Sequence, residues 1–175
     1  MRRYGWREEL RVAAEVPRWA WRCYRRHLPV IAGLSLVASV QRVVVVGFGE
    51  HVPALAAGLS EALVVVVRLA LLALITRWAL RGVPTSWANV NRFVTAHWPS
   101  LVIQTAFLGA VYLVFGVVAE ELVLKLLPAS ARDAYLSALL FVKNPTIIAF
   151  TFVWVVGIVR QLLCDREQSP VDVRR

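Results

Sequence analysis

The sequence predicts an all-α integral membrane protein: a four-helix transmembrane bundle with an N-terminal basic amphipathic helix at the membrane interface. Three observations predict this class. Of the 175 residues, 59% are hydrophobic, above the roughly 45–50% of soluble domains. The excess falls into separate apolar blocks, each long enough to cross a bilayer. The charges lie mainly between those blocks. The net charge of +9 comes from 20 basic residues, 18 of them arginines and 2 lysines, against 11 acidic residues.

Residues 1–27 are the predicted leader, a basic amphipathic helix on the cytoplasmic side. Five of its arginines recur at helical spacings and therefore share one face. They are Arg7, Arg11, Arg18, Arg22 and Arg25. Tryptophan and leucine follow another face, so the helix can lie on the membrane with its arginines on anionic lipid headgroups. The alternative is simple positive flanking of the first span. Pro17 predicts a division of the leader into two short helices.

Four segments are predicted to span the membrane, because each is close to the ~20 apolar residues that cross ~30 Å of hydrocarbon. They cover residues 28–48, 55–80, 100–123 and about 135–163, the last with a break at 144–145. Whether the fourth helix continues across Pro145 stays open, since proline removes a backbone donor. Residues 164–175 are the predicted tail.

The distribution of basic residues predicts that both termini are cytoplasmic. The leader carries 8 of them. The loop region around Arg77, Arg81 and Arg92 carries 3, and the end of the fourth span together with the tail carries 4, namely Arg160, Arg166, Arg174 and Arg175. The opposite side is assigned only Lys125, Arg132 and Lys143. Because cytoplasmic loops carry the excess of Lys and Arg, four crossings fit this count. The bias toward Arg, Ala and Val is typical of high-GC bacteria, so a bacterial cytoplasmic (inner) membrane is the expected location.

Arg42 places a charge inside the first predicted span. It lies about 21 Å along that span at 1.5 Å per residue, and a charge near mid-bilayer costs about 2.5–3.5 kcal/mol on insertion scales. Glu61 reaches the same depth if the first two spans are antiparallel neighbours. We therefore expect an Arg42–Glu61 ion pair, supported by Gln41 and Ser60. The alternative is that Arg42 extends to the outer headgroups.

Arg68 lies near the middle of the second span, about 18 Å from Leu80 by the helical rise. No acidic residue of the other predicted spans reaches its depth, and Glu61 is two turns away on the same helix. Its partner is left open between water-shared Glu61, backbone carbonyls, a lipid phosphate and an acid of another protein. Arg42, Glu61 and Arg68 form the candidate intramembrane site, for an ion pair or for partner or lipid binding.

Motifs of catalysis and metal binding are missing from the sequence. It contains no GxxxxGK[ST], HExxH, GxSxG or CxxC pattern, so we expect no catalytic residue, no metal site, no cofactor and no enzymatic activity. Cys23 and Cys164 lie beside the predicted cytoplasmic face, where thiols stay reduced. Glu120 and Glu121 end the third span and are expected to be solvated or to face Lys125.

The basic residues flank apolar segments, which favours the phospholipid bilayer over nucleic acid as the partner. Three functions fit these features. The first is a non-catalytic accessory or assembly subunit of a larger bacterial inner-membrane complex (transporter, respiratory or envelope-synthesis), because Arg68 fits an acid on another subunit. The second is a small homo-oligomeric transporter or channel with a polar path lined by Arg42, Glu61 and Arg68. An enzyme acting on a lipid phosphate ranks last, since no nucleophile accompanies the arginines.

Overall fold

A computed structural model describes residues 5–48 and 53–164. Within these residues every regular element is helical, and the only strand-like contact is an isolated bridge between Thr85 and Cys164. The α-helices are α1 (Trp6–Arg26), α2 (Leu28–Phe48), α3 (Ala54–Leu80), α4 (Trp87–Tyr112), α5 (Val123–Leu126), α6 (Ala129–Lys143) and α7 (Ala149–Leu163). Two wider π-helical segments, Leu113–Leu122 and Asn144–Ile148, join α4 to α5 and α6 to α7. The predicted tail from residue 165 lies outside the described residues.

Four helical stretches are long and apolar enough to cross a membrane. They are Leu28–Val45, Ala54–Leu80, Trp87–Leu126 and Ala129–Leu163, with mean hydropathies between 1.8 and 2.2. Runs of valine inside them are helical although valine favours strands in water. In lipid the backbone groups must be bonded within each segment, and that requirement decides. The chain is therefore a multi-pass helical membrane protein.

The third span is longer than predicted, because its helix begins at Trp87 rather than near Ser100. Ser86 caps this helix by accepting a hydrogen bond from the backbone N–H of Ala88 at 3.3 Å. The helix then kinks at His97 (φ −131°, ψ 29°), two residues before Pro99, which has no backbone N–H to donate. The predicted start at residue 100 thus coincides with the end of the kink.

The fourth span runs as one helical path from Ala129 to Leu163, starting earlier than the predicted residue 135. Its continuity across Pro145 has a visible cause. Pro145 has no N–H for the carbonyl of Phe141 four residues before it, and Ser39 Oγ on α2 donates to that carbonyl at 2.9 Å. A hydroxyl from the neighbouring span therefore donates to the carbonyl that Pro145 leaves without its usual partner, in a span whose backbone groups must be satisfied within the protein.

The leader is a single helix through Pro17, so the expected division into two helices is wrong. The helix continues because side chains on both sides of the proline pack on the bundle, and Val16 and Ala20 are 4% and 0% exposed. The main hydrophobic core lies where α1, α2, α3 and α7 meet. Its fully buried members include Ile31, Ile75 and Val153, each 0% exposed.

Candidate functional site

Arg42 and Glu61 lie together where α2 and α3 run antiparallel. Arg42 Nη1 is 3.5 Å from Glu61 Oε1. Gln41 Nε2 donates to the same carboxylate oxygen at 2.9 Å and to Ser60 Oγ at 3.3 Å. Both charged side chains are partly exposed, at 37% and 49%. The structure therefore brings together the four side chains that the residue count placed at one depth.

Arg68 does not reach that cluster. Its Nη2 donates to Asn144 Oδ1 at 3.5 Å, across the seam between α3 and the π segment Asn144–Ile148. Asn144 is 4% exposed, and its Nδ2 donates to the carbonyl of Leu140 at 2.9 Å. Within residues 5–48 and 53–164 this neutral amide is the polar partner of the guanidinium, and no carboxylate lies within salt-bridge distance. Sequence reasoning missed Asn144 because it considered acids, backbone carbonyls and lipid phosphate as partners, and no side-chain amide.

A small cavity lies beside Arg68. It measures about 10 Å³, close to the lower limit that one water molecule needs. Ser35, Arg68 and Asn144 supply its polar lining among apolar side chains of α2, α3 and the fourth span. The cavity therefore offers a single hydrogen-bonded water a place next to the guanidinium.

A second ion pair joins the third and fourth spans. Lys143 Nζ contacts Glu120 Oε1 and donates to the carbonyl of Phe115 at 2.8 Å. The expectation that Glu120 faces Lys125 or solvent is therefore wrong. So is the assignment of Lys143 to an outer loop, because α6 begins at Ala129 and carries Lys143 deep into the fourth span. The predicted break at 144–145 is the reason that the sequence placed Lys143 at the end of a helix rather than within one.

The depth of Lys143 follows from a contact with the first span. Ser39, 11 residues into the 21-residue helix α2, bonds the carbonyl of Phe141. Phe141 and Lys143 therefore lie level with the middle of α2. Arg42, Arg68 and Lys143 are cations carried by the spans, and the contacts described above give Arg42 and Lys143 a carboxylate.

Helix α1 has three faces, which follow from 3.6 residues per turn. The first packs on α7 and α4 through Val12, Val16, Ala20 and Cys23, all buried. The second carries largely exposed apolar side chains, namely Trp6, Leu10 and Trp21, which are 69%, 42% and 53% exposed. The third carries the exposed arginines Arg7, Arg11, Arg18, Arg22 and Arg25. The exposed apolar face lies between the other two.

Polar contacts hold α1 along α7 and α4. Gln161 Nε2 donates to the carbonyl of Val12 at 3.0 Å, and Gln104 Nε2 donates to Gln161 Oε1 at 3.0 Å. Glu9, 5% exposed, has its Oε1 3.1 Å from Nδ1 of His97 at the kink. The buried face of α1 is therefore specific to this bundle, and the two outward faces remain for other contacts.

Both cysteines are free thiols near α1 and the end of α7. Burial raises the pKa of Cys23, against the opposing effect of Arg160 and Arg26. Burial also raises the pKa of Cys164, again opposed by Arg160. Since the thiolate is the reactive form, the raised pKa lowers the reactivity of both thiols.

Among residues 5–48 and 53–164, no group of three His, Cys, Asp or Glu side chains is placed to hold a metal ion. Comparison with protein-family models, with curated proteins and with solved structures found no match to the chain. The described part of the chain is therefore a multi-pass helical bundle. Its spans carry the ion pairs Arg42–Glu61 and Lys143–Glu120, and Arg68 is bonded to the amide of Asn144.

Proposed function

We propose that this protein is a non-catalytic accessory or assembly subunit of a larger complex in the bacterial inner membrane, with both termini on the cytoplasmic side. In this proposal Arg68 binds an acidic side chain of a partner subunit. The basic helix α1 rests on the anionic headgroups of the inner leaflet.

One observation carries the proposal, namely the charge balance inside the bundle. Arg42 lies beside Glu61 and Lys143 beside Glu120. Arg68 has the neutral Asn144 at 3.5 Å. A charge in the hydrocarbon layer is costly unless it is neutralised, and an amide oxygen supplies a dipole without a countercharge. A carboxylate from a neighbouring subunit would complete the balance.

The position of Arg68 supports this role. Its guanidinium is half-buried at the seam between α3 and the fourth span. On either side of it α3 presents uncovered apolar side chains, such as Val65 and Leu69, which are 53% and 60% exposed. A partner helix lying on α3 would bury this surface and bring an acid to the seam.

The test compares two substitutions that separate charge from hydrogen bonding. Arg68→Lys keeps the cation, whereas Arg68→Gln keeps an amide donor for Asn144 and removes the charge. The full chain is extracted gently from its native membranes, and co-purifying proteins are quantified by mass spectrometry. We expect Arg68→Lys to retain a partner at fixed ratio. The Arg68→Gln variant should retain at least about tenfold less of that partner than the wild type does, which corresponds to about 1.4 kcal/mol of binding free energy.

The matched control is Arg132→Gln, which removes an exposed arginine whose Nε bonds a carbonyl in the loop after α5. It should leave the partner ratio unchanged. A partner that stays bound to Arg68→Gln at the wild-type ratio contradicts the proposed role of Arg68, as does a preparation containing copies of this chain alone.

A second candidate is a homo-oligomeric transporter or channel. It is favoured by two groups of polar side chains at different levels of α2 and α3, Ser35 with Arg68 and Gln41 with Arg42 and Glu61. Ionisable residues inside membranes often mark such a path. Purified protein in liposomes would then conduct ions, and Glu61→Gln would change the ion selectivity. Liposomes as tight as protein-free ones count against it.

A further inference from the structure

A groove opens between residues 108–116 of the third span and 143–152 of the fourth, away from the ends of both helical stretches. Its volume is about 240 Å³, slightly below the roughly 300–1,000 Å³ of sites that enclose a whole small molecule. Its walls are mainly apolar, with Phe115 and Phe152 on opposite sides, and Tyr112 and Lys143 add polar groups. The groove is therefore large enough for one ring with the rest of the molecule left outside.

The groove lies where the two π segments of the described chain face each other. Phe115 and Gly116 belong to the first, and Ile147 and Ile148 belong to the second. A π turn is wider than an α turn, and single π turns occur frequently at functional sites. The carbonyl of Phe115, in the first segment, accepts a hydrogen bond from Lys143. Residues of two local departures from α geometry therefore line one groove.

Two hydrogen-bond donors in this groove have no acceptor among the described residues. The ammonium of Lys143 has three N–H donors, and it uses two, toward Glu120 and toward the carbonyl of Phe115. The phenol of Tyr112, 72% exposed, donates to no group in the described part of the chain. Both side chains line the groove, in a layer where water is scarce.

The charge of the site selects among ligands. Glu120 neutralises Lys143, so the spare N–H favours a neutral acceptor such as a carbonyl over an anion such as a phosphate. At mid-membrane depth, acyl chains offer no acceptor, and the ester carbonyls of phospholipids lie near the headgroups. The remaining class is a lipid-soluble ring bearing carbonyl oxygens.

We propose that this groove binds the carbonyl-bearing ring of an isoprenoid quinone, with one carbonyl oxygen on Lys143 and the phenol of Tyr112 as the second donor. The aromatic rings of Phe115 and Phe152 contact the quinone ring, and the isoprenoid tail stays among the lipid chains. The inference concerns binding alone and is independent of the role of Arg68.

The test uses decylubiquinone and the full chain purified in detergent, with binding followed by quenching of tryptophan fluorescence. Decylbenzene, which has the same chain and a ring without carbonyls, is the matched ligand. We expect saturable quenching by the quinone. Added decylbenzene should displace no more than a small part of the bound quinone. Quenching that rises linearly with quinone concentration, as simple partition into micelles gives, overturns the proposal.

Variants decide whether the bound quinone occupies this groove. Gly116→Leu fills it, since even a Cβ at Gly116 lies 3.3 Å from the ring of Tyr112, and should abolish saturable binding. Tyr112→Phe removes a single neutral donor and should weaken binding roughly three- to tenfold. Val114→Leu adds bulk on the same span outside the groove and should bind as the wild type does. Equal binding by all three variants places the quinone elsewhere and refutes the site.

Discussion

Gly157 of α7 lies directly beneath Trp19 of α1, so that a Cβ at this glycine would stand 2.9 Å from Cε3 of the indole ring. Val16 Cγ1 is equally close to the same point. Helix α1 therefore approaches the fourth span more closely than any side chain at Gly157 would allow. This contact, together with the bond from Gln161 to the carbonyl of Val12, fixes α1 on the bundle.

We predict that Gly157→Leu displaces α1 and exposes Cys23. The leucine overlaps Trp19 and Val16, and overpacking of this kind typically costs about 1–3 kcal/mol. In the folded protein, burial both hides the Cys23 thiol and raises its pKa, so maleimide should react slowly at pH 8. In Gly157→Leu the reaction should be at least severalfold faster, measured by mass spectrometry in a Cys164→Ser background.

The control for this prediction is Gly109→Leu. A Cβ at Gly109 meets nothing within 4 Å, so this variant carries the same change without a clash. Its Cys23 should react at the wild-type rate. Identical rates in the two leucine variants would show that the Gly157 contact does not hold α1.

Arg42 and Glu61 should be energetically coupled. Glu61→Leu leaves a guanidinium and Arg42→Leu leaves a carboxylate in the hydrocarbon layer, whereas the double variant leaves neither. We expect a coupling energy of about 0.5–3 kcal/mol, measured from unfolding midpoints of the four proteins in mixed detergent micelles. Simple additivity of the two single effects would argue that the pair at 3.5 Å contributes nothing.

The two lysines of the chain should differ sharply in their contribution to stability. Lys143→Met removes the partner of Glu120 and the donor to the carbonyl of Phe115, and breaking a buried pair on one side costs about 3–5 kcal/mol. Its Tm should fall by several degrees or more. Lys125→Met, at an exposed position of α5, should change Tm by no more than about a degree. A Tm for Lys143→Met equal to that of Lys125→Met refutes the buried pair.

The arginine face of α1 should select anionic lipids. Each arginine near an anionic surface contributes about 1 kcal/mol, so the preference for phosphatidylglycerol over phosphatidylcholine should disappear when Arg7, Arg11, Arg18, Arg22 and Arg25 are all changed to Gln. Spin-labelled lipids in liposomes measure this preference, which salt should weaken. Arg81→Gln, outside α1, serves as the control. A preference that persists in the five-residue variant assigns it to another surface.

Sequence patterns were sufficient where a single helix or a pair of neighbouring helices decides the outcome. Apolar length predicted the four spans, and residue counting along antiparallel helices placed Arg42 and Glu61 at one depth. Because α2 ends at Phe48 and α3 begins at Ala54, only five residues separate the two helices and few other alignments are possible. Both results depend on the regular rise of an α-helix, which sequence alone supplies.

The contacts that sequence could not supply join distant parts of the chain or depend on irregular helix geometry. Asn144 is 76 positions from Arg68, and nothing in a single sequence distinguishes an amide that faces a guanidinium from one that faces water. Pro145 looked like a break because Ser39, which bonds the carbonyl of Phe141, belongs to another span. The position of Lys143 was also missed because its partners, Glu120 and the carbonyl of Phe115, belong to another span.

The π segments at 113–122 and 144–148 also bear on how this fold accommodates changes of length. A π turn holds about one residue more than an α turn, so deleting one residue there restores ordinary winding and leaves the remainder of the helix facing nearly the same way. The same deletion in the regular part of α4 would rotate the remainder by about 100° and swing Glu120 away from Lys143. The two π segments are therefore the places where these spans can lose one residue without disturbing the pairing between helices.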